Sequence, residues 1–144
     1  MAFTGAELDY LASQRLGRIA TAQPDGTLQV SPVGFRYNSK TNTIDIAGHG
    51  MVRSRKFRNV AANGRVAFVV DDVASVQPWR PRFLEIRGYA EAIAEPTDSA
   101  YATDAPAGFD GAIIRIHPQR LISGGLDDPG GAQSFTSNAR NFDD

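Results

Sequence analysis

The run Arg65 to Val70 most constrains the fold, because after Arg65 every residue is apolar: Val66, Ala67, Phe68, Val69 and Val70. A strand that is apolar on both faces belongs in the interior of a sheet and is expected to be covered on each side. Asp71 and Asp72 are expected to end it.

The segments around it read as further strands. Leu16 to Ala22 alternates loosely, Pro24-Asp25-Gly26 is a turn, and Thr27 to Tyr37 resumes as a strand, which together make a hairpin. After a turn over Asn38 to Asn42, Thr43 to Ala47 alternates with period two. A loop from Val73 to Pro81 carries the only tryptophan, Trp79, and leads into the long strand Phe83 to Ile93. Ala112 to Ile122 is the last expected strand, broken near Pro118.

Two helices interrupt the strands. Thr4 and Glu7 form a capping-box pair ahead of Leu8, Leu11 and Ala12, whose spacing predicts a short helix ending near Gln14. A second helix follows Thr43 to Ala47 and runs to about Ala62, with Phe57, Val60 and Ala61 inward and Asn63-Gly64 as a left-handed cap. Pro96 to Ala107 is small-residue rich and is expected as a loose helix. About six strands joined mostly by antiparallel turns describe a small β-barrel. The chain lacks the strand-helix alternation of a doubly wound nucleotide-binding sheet.

This length is that of one domain with its own core, expected over residues 1–126, followed by a polar tail over 127–144 rich in Gly, Asp, Ser and Asn. With no cysteine, disulfides, thiolate metal sites and cysteine nucleophiles are excluded, and the cytoplasm is the expected compartment. No signal-peptide pattern or run of eighteen apolar residues is present, so no membrane association is expected. A net charge of −1 exerts no long-range pull on nucleic acid, and only Phe57 interleaves the local cations, so no nucleic-acid partner is expected.

Anion recognition must therefore be local. Arg53, Arg55, Lys56 and Arg58 are four cations within six residues, and they open the second helix behind Gly48-His49-Gly50. Cations crowded at a helix start, beside unpaired N–H groups, repel one another unless an anion joins them. Ser54 adds a hydroxyl, and the glycines allow backbone to approach a ligand closely. A solvated basic helix face is the alternative reading.

Several ordered motifs resemble the pyridoxamine 5′-phosphate oxidase-like split β-barrel superfamily, also known as FMN-binding split barrels. These are Ser54-Arg55-Lys56, then Asn63-Gly64-Arg65-Val66-Ala67-Phe68, then Arg82 through Glu91 (Arg-Phe-Leu-Glu-Ile-Arg-Gly-Tyr-Ala-Glu). The N-terminal half (Leu11 to Arg18, Pro24 to Thr27, Val30 to Phe35) is similar to the branch that uses the deazaflavin coenzyme F420.

The resemblance implies a mainly β, six-stranded antiparallel split barrel with short helices, working as a homodimer. It implies that Arg55 and Lys56 hold a cofactor phosphate with Arg53 and Ser54 beside them. Strand residues Val30, Ser31, Pro32 and Val33 would lie along a tricyclic ring, where Pro32 removes an N–H; an edge-strand role is the other reading of Pro32. Gly48 and His49 are expected at the cofactor, with His49 the one candidate proton donor or else only a hydrogen-bonded strand-end residue. Trp79 is expected to reach the cofactor bound mainly by the other subunit, or to fill the dimer interface or core.

The strand Val30-Ser31-Pro32-Val33-Gly34-Phe35-Arg36 and the C-terminal Arg115-Ile116-His117-Pro118 depart from the true oxidase, which argues against pyridoxamine phosphate as substrate. The resemblance implies hydride transfer between reduced F420 and a small enone or quinone-like acceptor, with the cofactor carrying the chemistry. FMN binding, or a carrier without turnover, is the alternative.

Overall fold

The computed structural model describes residues 3–96, 108–126 and 135–142. The helix expected over Pro96 to Ala107 lies, apart from Pro96, outside the described residues.

Helix α1 (Gly5–Ser13) begins with the expected capping box: Glu7 N donates to Thr4 Oγ1 at 3.1 Å, and Thr4 N donates to Glu7 Oε1 at 2.8 Å. Its buried face is Glu7, Tyr10 and Leu11, and Ala12 is exposed. The stripe is rotated from the expected one because polar partners wait beneath it. Arg140 meets the Glu7 carboxylate, and the Tyr10 hydroxyl donates to Asp72.

Eight strands follow: β1 (Gly17–Ala22), β2 (Leu28–Val33), β3 (Arg36–Asn38), β4 (Thr43–His49), β5 (Arg65–Ser75), β6 (Arg80–Ile93), β7 (Phe109–Gly124) and β8 (Ser137–Asn141). Helix α2 (Arg55–Asn63) lies between β4 and β5. All the pairings are antiparallel, in the order β2-β1-β5-β6-β7-β4-β3, and β8 adds to β7. The six expected strands become eight for two reasons. The segment Thr27 to Tyr37 splits at Gly34-Phe35, and part of the 127–144 tail is strand.

That split decides the architecture. β2 and β3 occupy opposite ends of the strand order yet are joined by two residues. Laid flat, seven strands would separate the edges by roughly 29 Å at about 4.8 Å per spacing. The chain from Val33 to Arg36 reaches at most about 11 Å. The sheet must curl until its edges approach without pairing, which is a split β-barrel.

The barrel interior is filled by one alternate face of each strand. Ile19 pairs with Phe68, Phe68 with Ile86, and Ile86 with Leu121, and all four are essentially inaccessible. Ile44, Ile46, Ile114 and Ile116 continue this layer through the β4–β7 ladder.

β5 differs from expectation in two ways. The ladder runs past Asp71 and Asp72 to Ser75, because Asp71 pairs with Arg18 and Asp72 with Arg82 across neighbouring strands. Its burial also alternates. Val66, Phe68 and Val70 are in the core, whereas Ala67 and Val69 are only half-buried on the outer face. Nor is β7 broken at Pro118; it absorbs the proline opposite Gly88 by a register shift.

Candidate functional site

The basic turn is carried by the end of β4. Ile44 and Ile46 face the core, and between them Asp45, 1% exposed, is held by Arg115 through bonds of 3.1 and 3.0 Å. Asn38 Nδ2 and Thr43 Oγ1 also donate to the Asp45 carboxylate. A buried carboxylate so fully satisfied makes β4 a rigid support.

The β4–β7 register shifts between Ala47 and His49, and His49 then pairs with Phe109. The His49 ring packs edge-on to Phe109 with centroids 4.7 Å apart. It also covers Gly108, where a Cβ would lie 2.3 Å from His49 Nδ1. One face of His49 is thus packed and the residue remains exposed to solvent. Gly50, at φ 49° and ψ 42°, turns the chain into a single 3-10 turn, Met51–Arg53, anchored by the buried Met51.

Ser54 is the N-cap of α2. Its hydroxyl accepts from Phe57 N at 3.2 Å and donates to Met51 O at 2.7 Å. The free hydroxyl expected in the first turn is therefore engaged in capping, and its effect is to orient the residues that follow. Phe57 and Val60 face inward as expected, but Ala61 is exposed and Asn59 takes the inner position.

Arg53, Arg55 and Arg58 are exposed and Lys56 is half-buried. Among the described residues none of these four has a carboxylate partner, whereas Arg18, Arg82, Arg87, Arg115 and Arg140 are each ion-paired. An acid bonded to the turn, Asp110, accepts from backbone instead: from Val52 N at 2.9 Å and from Ala112 N at 3.2 Å. The donor set fits an external anion such as a phosphate, which guanidinium and ammonium groups recognise well.

Helix α2 is tied to the β1–β2 hairpin by a polar relay. Asn59 Nδ2 donates to Thr21 Oγ1 at 3.0 Å, and Thr21 Oγ1 donates to Gln29 Oε1 at 3.2 Å. Asn63 Nδ2 donates to Ala22 O at 2.8 Å. The relay links the basic helix to the start of β2. Along β2 the four expected ring-contact residues divide: Val30 and Pro32 are exposed on the outer face, while Ser31 and Val33 point inward. They share a strand but not a side-chain surface. Ser31 Oγ is buried without a hydrogen-bond partner, a polar atom left over on the expected ring strand.

Val30 opens onto an outer-face groove of about 300 Å³, lined also by Arg18, Ala20, Ala67, Val69 and Glu85. Trp79 is not brought to the basic turn of its own chain. It sits at the tip of the β5–β6 hairpin, 63% exposed. The eleven residues of β5 separate that tip from the α2 end by roughly 35 Å.

Sequence reasoning missed Asn59, Thr21 and Asp110. A polar residue between Phe57 and Val60 was a signal for Asn59. Asp110 had none, since its contact Val52 is 58 residues away. Among the described residues no cluster of His, Asp or Glu could hold a metal ion, and no helix is long and apolar enough to cross a membrane.

A curled sheet with unpaired edges defines a split β-barrel, and a turn of cations that have no carboxylate partner among the described residues stands at the start of α2. The chain belongs to the pyridoxamine 5′-phosphate oxidase family, whose pattern it matches over residues 3–123. A 5a,11a-dehydrotetracycline/5a,11a-dehydrooxytetracycline reductase of Streptomyces rimosus is 43% identical over 127 residues, 88% of this chain and 86% of the relative.

A solved F420 reductase shares the fold with TM-score 0.56 and 28% identity, covering 74% of this chain and 88% of that one. A conserved hypothetical protein of Mycobacterium tuberculosis superposes with TM-score 0.66 at 20% identity over 93% of this chain and 96% of its own, which bears on fold alone. With a reductase this similar over most of its length, the chain is an oxidoreductase.

Proposed function

We propose that this oxidoreductase is a homodimeric F420-dependent reductase that passes a hydride from reduced deazaflavin to a small conjugated acceptor, an enone or quinone. The observation that carries the reading is the cation turn. Among the described residues Arg53, Arg55 and Lys56 have no carboxylate partner, and they flank the start of a helix that Ser54 caps and Asn59 ties to β1. The likeness to an F420 reductase favours a deazaflavin as the group held there.

In this reading Arg55 and Lys56 hold the cofactor phosphate, with Arg53 beside them. The relay through Thr21 and Gln29 keeps β2 at a set distance from the turn, so that ring and phosphate are gripped from one rigid unit. Pro32 offers no N–H to compete for the ring, and Gly48 keeps the turn open. His49, packed on Gly108 and Phe109, is a wall of the site. Bound deazaflavin supplies the hydride, so the chain needs no nucleophile of its own. The acceptor class follows the dehydrotetracycline relative, whose name specifies a substrate with a carbon–carbon double bond to be reduced.

The second subunit covers the outer face. Ala67 and Val69 leave an apolar strand half covered, and Val30, Val73, Val76 and Trp79 extend exposed apolar surface around it. A second copy would bury this face and bring a partner Trp79 toward the site. The compartment we assign is the cytoplasm, on the absence of cysteine.

Fluorescence titration of the full chain with F420 and with FMN tests the reading. Arg55→Ala and Lys56→Ala are each expected to weaken F420 about tenfold or more, the scale of a lost charge-assisted bond. Wild-type protein that does not bind F420, or variants that bind it unchanged, would overturn the assignment. Tight binding with no oxidation of reduced F420 by any enone or quinone would make the chain a carrier instead.

A further inference from the structure

We infer that the groove on the outer face of β1 and β5 seats the hydride acceptor, that Ala20 and Ala67 give it depth, and that Arg18 meets the acceptor's carbonyl oxygen; the inference rests on the reductase reading above. The register of the sheet sets the shape. One cross-strand row runs Val30, Ala20, Ala67 and Arg87, and the next runs Pro32, Arg18, Val69 and Glu85. In the first row the two smallest side chains stand together between longer ones, and Arg18 and Glu85 rise beside them in the second. The outer face is therefore recessed at Ala20 and Ala67.

Alanine is a poor strand former beside the valines that fill much of β5, and two of them paired across central strands leave room rather than packing. The result is the open groove of about 300 Å³, with Phe83 also in its lining. That volume lies at the lower end of ligand pockets, roughly 300–1,000 Å³, and suits a flat acceptor of one or two rings. Val30 belongs both to the groove and to the strand assigned to the cofactor ring, so an acceptor seated there would lie beside the hydride donor. The proposed second copy would roof the groove.

The two charged side chains of the lining are not equivalent. Glu85 accepts from Arg87 Nε at 2.7 Å, and a carboxylate has no proton to offer a carbonyl. Among the described residues Arg18 donates from Nη1 to Asp71, and the other N–H groups of its guanidinium remain for a ligand. A conjugated acceptor that gains a hydride at carbon carries the negative charge on its carbonyl oxygen until a solvent proton neutralises it. A guanidinium at that oxygen stabilises the charge.

Calorimetric titration of menadione, a two-ring quinone, into the full chain with and without F420 tests the inference. Wild type should bind menadione in both states. Ala67→Leu fills the recess and should weaken menadione about tenfold, the scale of an overpacked site, while F420 affinity stays within about twofold and the oligomeric state is kept. Ala20→Val, a smaller intrusion, should weaken it in the same direction. Arg18→Met keeps an apolar stem and should weaken menadione about tenfold, the scale of a lost charge-assisted bond, but leave methylnaphthalene, which has no carbonyl, unchanged.

Menadione affinity that is unchanged in Ala67→Leu would overturn the inference, and a simultaneous change of oligomeric state would mean that a partner side chain fills the groove. Displacement of menadione by F420, or a wild type that binds no menadione, would overturn it as well. Equal losses of menadione and methylnaphthalene in Arg18→Met would remove the role of Arg18. Menadione bound in this way by a chain that does not bind F420 would remove the cofactor reading and leave the quinone site in place.

Discussion

Asn59 on the basic helix and Thr21 on β1 are joined side chain to side chain at 3.0 Å, both almost wholly inaccessible. This bond crosses 38 residues of sequence and, with the bond from Asn63 Nδ2 to Ala22 O, sets how the cations stand relative to the β1–β2 hairpin. Asn59 Oδ1 has no partner, so the Thr21 bond is what offsets the cost of burying the amide.

Thr21→Val would leave the Asn59 amide without its acceptor in a dry site. The expected cost is about 1–3 kcal/mol in urea denaturation. Asn59→Leu combined with Thr21→Val should recover part of it, because no buried polar group is then orphaned. Additive losses in the double variant would show that the two side chains are not coupled.

The cluster of Tyr10, Asp72 and Arg82 predicts stability loss at both ends of the pH range. Bonds from Arg82, with a further one from Tyr10, hold the Asp72 carboxyl below its ordinary range despite partial burial. Its stabilisation is complete above the unfolded value of about 3.9 and is lost as pH falls through the folded value. Burial first, then the bond to Asp72, pushes Tyr10 well above the ordinary tyrosine value. That stabilisation is complete below about pH 10 and is lost as pH rises through the folded value. Urea midpoints across pH should show Asp72→Asn flattening the acid limb and Tyr10→Phe flattening the alkaline one.

Arg140 on β8 meets the Glu7 carboxylate on α1 with two bonds, one of them from Nη2 to Oε1 at 2.8 Å. The Glu7 side chain is only 6% exposed, so Arg140→Ala strands a buried charge. The expected loss is about 3 kcal/mol. Glu7→Gln with Arg140→Ala should be less destabilised than Arg140→Ala alone, as read by thermal unfolding.

Val69→Asp places a charge on the half-buried outer face of β5 without touching the barrel interior. Sedimentation should show the proposed dimer shifting to monomer, with near-native circular dichroism and weaker F420 binding. A variant that remains dimeric would exclude this face as the subunit interface.

How legible the chain was depended on the range of the interaction. The Thr4–Glu7 box, the Asp25 turn that accepts from Thr27 N at 3.0 Å, and the Gly64 cap were readable because each is closed within four residues. The cation cluster was readable for the same reason. Asp71 and Asp72 were misread as strand ends because, considered locally, acidic residues disfavour strands. Their partners Arg18 and Arg82 lie 53 and 10 residues away and satisfy them within the sheet.

Sequence alone determined the periods of the strands, the helix starts and which charges crowd together, since these depend on side-chain order along a few residues. Tertiary structure decided the rest. It bent the chain at Gly34-Phe35 so that β2 and β3 became opposite edges of a curled sheet, engaged the Ser54 hydroxyl as a cap, and bonded Asp110 to the backbone of the turn at Val52. Those outcomes rest on contacts between distant segments, whose geometry exists only once the barrel has closed.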